Sequence, residues 1–223
     1  MKAKKVLFFF CLFIGFAGTL ASAKAKSTNA QPSYKNFGII ISGPSGVGKT
    51  TIVEKLAELH PELSVSVSAT TRKRRVGEVD GKHYYFIDKD KFQKLVNKDE
   101  FIEYAESFGN YYGSPRRNYT DAMKNNQDVV FVLSAEGTQN AVKNKDMDFI
   151  TIFISAPSDD ILLKRLKNRK TETNKQVAER FKQAKHEMSY AYLYDYTVYN
   201  HDIKSAVKVV EAIYLAEKLK RLK

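Results

Sequence analysis

The residues best equipped for chemistry lie in one eight-residue run, Gly43-Pro44-Ser45-Gly46-Val47-Gly48-Lys49-Thr50. It fits G-x-x-x-x-G-K-[ST] without a mismatch. Glycines at these spacings let backbone N–H groups turn inward around phosphate oxygens. A helix beginning near Lys49 points its positive end at the same anion. Lys49 supplies a mobile positive charge, and the Thr50 hydroxyl can ligate a Mg²⁺ carried by the nucleotide. With Thr51, the run is a candidate nucleotide-phosphate site. Such a loop specifies binding and leaves the reaction open. A guanine-reading Asn-Lys-x-Asp is absent, because Asn144-Lys145-Asp146 has its acid one place early. That argues against a GTPase, and the length argues against most motors.

A second anion site is written further on. Arg72-Lys73-Arg74-Arg75 follows Ser66-Val67-Ser68-Ala69-Thr70-Thr71 and precedes Gly77-Glu78, Gly81 and Tyr84. Gly109-Asn110-Tyr111-Tyr112-Gly113-Ser114 adds two tyrosines and a serine. Arginine forks and tyrosine hydroxyls are groups that hold a phosphate monoester. The bland alternative is a solvated basic loop or a nucleic-acid patch.

The elements that must position these residues alternate between strand and helix. Phe37–Ser42, Asp128–Leu133 and Phe149–Ser155 are short continuous apolar runs, as strands buried on both faces of a parallel sheet require. Leu63–Ala69, Tyr84–Ile87, Phe101–Phe108 and Tyr196–Tyr199 read as further strands, with a charged loop over Thr70–Lys82. Helical spacing covers Thr50–His60, Asp90–Asn97, Glu136–Asn144, Lys175–Tyr190 and Ile203–Leu222. Ser158-Asp159-Asp160 caps another helix running to about Lys167. Ser114-Pro115 is expected to start a helix, with serine as cap and proline in the first turn. Lys170–Asn174 breaks the pattern. Alternation of this kind specifies an α/β fold on a parallel sheet.

The chain has 223 residues and a formal net charge of +12. Residues 2–35 hold six lysines and no acid, so half the excess sits there and +6 remains for the rest. The 18 uncharged residues between Lys5 and Lys24 end in Ala21-Ser22-Ala23. Lysines, an apolar run and small residues describe a signal-peptide-like leader, and Ser27–Ser33 a linker. Residues 1–35 are therefore set apart from the fold, and 36–223 form one domain. Cys11 is the lone cysteine, which excludes an intrachain disulfide and a cysteine-based zinc site.

Taken together, the chain from about Phe37 to Leu222 resembles the guanylate kinase family. The likeness is carried by Ile41–Thr50, Ser68-Ala69-Thr70-Thr71-Arg72, Arg75-Val76-Gly77-Glu78, Gly81-Lys82-His83-Tyr84, Phe101-Ile102-Glu103-Tyr104 and Gly109–Ser114. The resemblance implies a P-loop NTPase-type core, a GMP-binding insert over about 68–118 and a helical lid over about 167–180. It implies transfer of the γ-phosphoryl group of ATP to GMP or dGMP with Mg²⁺. Gly43, Pro44, Ser45, Gly46, Val47, Gly48, Lys49, Thr50 and Thr51 would bind ATP. Arg72, Arg75, Tyr84 and Tyr112 would hold the GMP phosphate. Ser68 and Glu103, with Ser114 beside them, would read guanine. Lys49, Arg72, Arg169 and Arg180 would be catalytic, with Arg165 a further match, and Asn200 resembles a position near the adenine pocket. A carboxylate at Glu103 offers two acceptors to adjacent N–H donors that guanine has and adenine lacks.

One stretch departs from the family pattern. Its Asp-x-Asp is replaced by Val132-Leu133-Ser134, where the first acid would support Mg²⁺ and the second would help hold guanine. The alternative reading is therefore a catalytically weak guanylate-kinase-like binding module; a kinase for another nucleoside monophosphate is a third. No nucleic-acid partner is expected, and a membrane only through an uncleaved leader. The chemistry points to the cytoplasm, the leader alone to export or organelle import.

Overall fold

The computed structural model describes residues 34–107, 109–167 and 174–222. The leader, Phe108, and residues 168–173 with Arg169 lie outside the described residues. The core is a five-stranded parallel sheet in the order β2-β7-β1-β8-β9. Its strands are β1 (Gly38–Ser42), β2 (Ser64–Val65), β7 (Val129–Val132), β8 (Phe149–Ser155) and β9 (Tyr196–Tyr199). The helices are α1 (Lys49–Leu59), α2 (Lys89–Asn97), α3 (Arg116–Lys124), α4 (Ala135–Ala141), α5 (Asp159–Lys167), α6 (Asn174–Met188) and α7 (Ile203–Lys220).

The continuous apolar runs have the expected cause. Ile39 and Ile41 enter one core cluster with Leu56, Leu162 and Val210, while Ile40 enters another with Tyr119, Phe131 and Ala141. Both faces of the sheet are therefore covered. Ile39, Ile40 and Ile41 are fully buried. Each is worth roughly 1.5–3 kcal/mol, a large part of ordinary domain stability.

Between β2 and β7 the chain builds a second, four-stranded sheet in the order β4-β3-β6-β5. Its strands are β3 (Ala69–Thr70), β4 (Tyr85–Phe86), β5 (Phe101–Ser107) and β6 (Asn110–Pro115). Phe92 of α2 stacks on Phe101 and Tyr111, giving this sheet its own small core. Two expectations are corrected here. Leu63–Ala69 is not one strand: it splits into β2 and β3, which join different sheets. Ser114 is not a helix cap: it lies in β6, Pro115 occupies the cap position of α3, and no side chain caps that helix. Pairing of β6 with β5 uses the backbone that the helix start would have claimed.

At the amino-terminal edge of the core sheet, Asp128 is a structural hub. Buried to 1% exposure, it accepts from the Tyr34 and Tyr214 hydroxyls at 2.7 and 2.9 Å and from Phe37 N at 3.1 Å. This ties the chain entering β1 to α7 and β7.

Candidate active site

The sheet order places β1 between β7 and β8, with chain crossing to either side of it. Ligands in open α/β sheets bind outside the carboxyl ends of strands at such a point. The glycine-rich run leaves β1 there. Gly48, the residue before α1, has φ +96°, and a Cβ would lie 2.8 Å from Asn200 Nδ2 and 3.0 Å from Ile203 Cδ1. Both constraints demand glycine. No side chain caps α1 and its first turn holds no acid, so its leading N–H groups suit an incoming anion. Lys49 Nζ donates to Gly43 O at 2.6 Å and Pro44 O at 3.0 Å, arching back over the loop. Asn200 is buried to 1% exposure and its Nδ2 donates to Val47 O at 2.6 Å. The end of β9 thus braces the loop.

The second anion site forms around Arg72, just past β3. Its guanidinium carbon lies 5.5 Å from the Tyr84 ring centroid, and the Tyr84 and Tyr112 rings are 6.0 Å apart. Arg72 is half-buried and pairs with Glu78 at 2.7 Å. The Glu78 hydrogen bond raises the pKa of Arg72, and the same bond holds Glu78 below the usual carboxylate range. Burial, reinforced by Tyr112, raises the pKa of Tyr84, so its hydroxyl stays protonated as a donor. The Arg75 residue joins through its backbone, donating to Glu78 Oε2 at 2.8 Å, while its side chain is exposed. Fixed cation and hydroxyl donors of this kind can hold a phosphate dianion.

Glu103 lies on the same inserted sheet. A bulge between Phe101 and Glu103 shifts the register, so Phe101 faces Pro115 and Glu103 faces Ser114. Bulges re-aim side chains in this way. Glu103 is 8% exposed and accepts from Ser114 Oγ at 2.8 Å; Ser68 Oγ is 3.4 Å from Ser114 Oγ. Burial, with the charge of Glu136 nearby, pushes the Glu103 carboxyl up to about 7 against hydrogen bonds from the Ser114 hydroxyl and backbone. Gly137 of α4 makes room for it, since a Cβ there would meet Glu103 Oε2 at 2.5 Å. Tyr112 and Ser114 are two apart on β6 and share a face. That sets the anion group and the carboxylate about 7 Å apart along the strand.

The remaining expected residues fall into three groups. Arg165 on α5 is not a solvated charge: it is half-buried and its Nη2 donates to Asn200 O at 2.9 Å and His201 O at 3.2 Å. Arg180 lies half-buried on α6, and Arg169 lies outside the described residues. Where acids were expected, Val132 ends β7 opposite Ile41, and Ser134 caps α4 by accepting from Gly137 N at 3.0 Å. Among the described residues no group of three or more His, Cys, Asp or Glu could hold a metal alone. The exposed Thr50 hydroxyl in the first turn of α1 fits a hard cation that brings its other oxygen ligands from phosphates and water. Glu78 stands in the sequence motif, but its role as the partner of Arg72 is not read there. Its signal was present, an acid six residues after Arg72 across a glycine turn, but its partner is set only by the folded loop.

A glycine-rich phosphate loop on a parallel sheet, joined to an inserted sheet that carries a paired arginine and a buried carboxylate, is the arrangement of a P-loop phosphotransferase. Comparison with known proteins gives the same answer. The family model described as guanylate kinase matches residues 35–217. A guanylate kinase of Carboxydothermus hydrogenoformans is 41% identical over 187 residues, covering 84% of this chain and 91% of that protein. One of Clostridium perfringens is 44% identical over 180 residues, covering 81% and 83%. The crystal structure of guanylate kinase from Anaplasma phagocytophilum superposes with a TM-score of 0.70 at 33% identity, covering 86% of this chain and 92% of that one. The chain belongs to the guanylate kinase family. No helix among the described residues is long and apolar enough to cross a membrane.

Proposed function

We propose that the chain transfers the γ-phosphoryl group of ATP to GMP or dGMP, giving ADP and GDP or dGDP, as a step of purine nucleotide metabolism. An oxygen of the acceptor's phosphate forms the new bond to the γ-phosphorus, and the bond to the bridging oxygen breaks, leaving with ADP. Catalysis is positioning plus electrostatic stabilisation, with no covalent enzyme intermediate. Gly43–Thr51 holds the ATP phosphates, and Lys49 neutralises charge on the β- and γ-oxygens. Arg72, Arg75, Tyr84 and Tyr112 hold the acceptor phosphate, which fixes the attacking oxygen. Ser68, Glu103 and Ser114 read the guanine edge. Residues of about 68–118 form the acceptor-binding insert. Arg169 and Arg180, on a lid over about 167–180, complete the charge on closure. The reaction uses a divalent cation; Thr50 would help hold Mg²⁺ carried by ATP, which would supply charge neutralisation at the transferring group.

The observation that carries this reading is Glu103: a buried carboxylate with serine hydroxyls beside it, on the sheet that also carries the Arg72–Tyr84–Tyr112 cluster. The comparisons support it, and nothing in them favours the partner-binding alternative. Both substrates are cytoplasmic, so we place the protein there; the mature amino terminus, mapped by mass spectrometry, tests that placement. For the reaction, the protein is given ATP, Mg²⁺ and GMP, dGMP, AMP or UMP in a coupled ADP assay. Turnover confined to the guanine nucleotides is expected. GMP binding without turnover, or equal use of AMP, would defeat the reading.

A further inference from the structure

We propose that Glu78 is a positioning residue for the acceptor phosphate: it occupies one edge of the Arg72 guanidinium and so presents the other edge to the ligand. The inference rests on the reading of Arg72 as a phosphate-binding group. Arg72 has five N–H donors. Its Nη2 donates to Glu78 Oε1 at 2.7 Å, and its Nη1 to Glu78 Oε2 at 3.1 Å and Lys73 O at 2.8 Å. None of these bonds uses Nε. The end-on edge is thereby committed, and the Nε/Nη2 edge is the second bidentate face, matched to two phosphate oxygens.

Glu78 is itself held twice. Its backbone N donates to Arg75 O at 3.2 Å, closing a turn over Gly77 at φ +85°. Its carboxylate accepts from Arg75 N at 2.8 Å. Glu78 Oε2 thus accepts from both Arg75 N and Arg72 Nη1, so the turn that anchors the carboxylate also holds it against Arg72. Arg72 is further set by its own N donating to Thr70 Oγ1 at 3.2 Å and by the Tyr84 and Phe86 rings, whose centroids lie 5.5 and 5.7 Å from the guanidinium carbon. The competing arrangement is a carboxylate that stands in for the phosphate and is displaced by it. The two predict opposite signs for one measurement.

The test compares the full-length protein with Glu78→Gln and Glu78→Asp, reading KM for GMP, KM for ATP, kcat and thermal midpoint. Loss of one charge-assisted clamp is expected to raise KM for GMP about tenfold in Glu78→Gln, with KM for ATP unchanged. Glu78→Asp keeps the charge and is expected to recover part of that loss. An unchanged or lowered KM for GMP overturns the proposal, the lowered value showing competition with the phosphate. A parallel rise in both KM values with a matching loss of thermal midpoint also overturns it, assigning Glu78 to the fold alone. Wild-type protein whose ATP turnover does not depend on an added nucleoside monophosphate defeats the Arg72 reading first, before any variant is made.

Discussion

Replacing Glu103 by Gln should weaken GMP use and strengthen the fold at the same time. The carboxyl is 8% exposed, has one hydroxyl donor and is pushed up to about 7. In the proposed complex only the ionised form offers guanine two acceptors. With a pKa near 7, about 9% is ionised at pH 6 and about 91% at pH 8. The apparent KM for GMP should therefore fall about tenfold across that range, since affinity scales with the competent fraction. The ligand's own second phosphate pKa, about 6, adds roughly a factor of two. Glu103→Gln removes the larger component, leaving the twofold change and raising KM at pH 8 by about 10- to 100-fold. Stability moves the other way. The folded pKa lies above the unfolded value of 4.5, so the folded state binds the extra proton between the two. This contribution is favourable below about pH 4.5 and is lost as pH rises through 7. Glutamine stays neutral, so the variant without ligand should be more stable at pH 8, by on the order of 3 kcal/mol. KM against pH in a coupled assay and denaturant midpoints at pH 5 and 8 check both halves. A wild-type KM flat between pH 6 and 8, or an unaltered profile in the variant, would refute the reasoning.

Three further outcomes follow from the site's surroundings. Ser134→Asp keeps an equally good helix cap but adds a carboxylate to the one Glu136 already sets near Glu103; denaturant stability should hold within about 0.5 kcal/mol while the pH transition of KM for GMP moves upward. Val132→Asp places an acid at the end of β7 beside the phosphate loop. It should lower the Mg²⁺ concentration needed for half-maximal activity severalfold, at a cost of about 1–3 kcal/mol in stability from burying a polar group. Asp128→Asn disturbs the hub that accepts from Tyr34, Tyr214 and Phe37. The loss should be about 2–4 kcal/mol in denaturant unfolding, with both KM values unchanged at a temperature where the variant is folded.

The phosphate loop was legible because each of its positions answers a local demand: positive φ at Gly43, Gly46 and Gly48, and a cation and hydroxyl at the helix start. The core strands were legible because burial on two faces leaves an unbroken apolar run, as in β1 and β8. The inserted sheet was largely hidden. Two of its strands are two residues long, too short for any period to register. Ser114-Pro115 carried a sound local capping signal that β6 pairing overrode. The run Leu63–Ala69 failed for a related reason. Asn118 holds Ser66 Oγ at 2.8 Å and Val67 O at 3.0 Å, taking the chain out of one sheet before it enters the next. Tertiary partners on α3 decided that break, and no local pattern announces them.

Glu78 and Glu103 are the same residue type serving one ligand, and the fold sets their proton affinities in opposite directions. Glu78 faces the Arg72 fork and a backbone N–H, so its ionised form is favoured and it stays charged throughout the working range. Glu103 is buried, and desolvation together with the nearby charge of Glu136 outweighs its hydrogen bonds from Ser114, so it titrates near neutrality. The phosphate end of the acceptor site is therefore indifferent to pH apart from the ligand's own ionisation, and the base end is not. Glu78→Gln should displace the whole KM profile for GMP upward without changing its shape, and Glu103→Gln should flatten it. Because the two carboxylates act on opposite ends of the same nucleotide through separate partners, the double variant should show both effects superimposed, nearly additively in free energy. A double variant whose profile kept the wild-type slope would mean that the titrating group lies elsewhere.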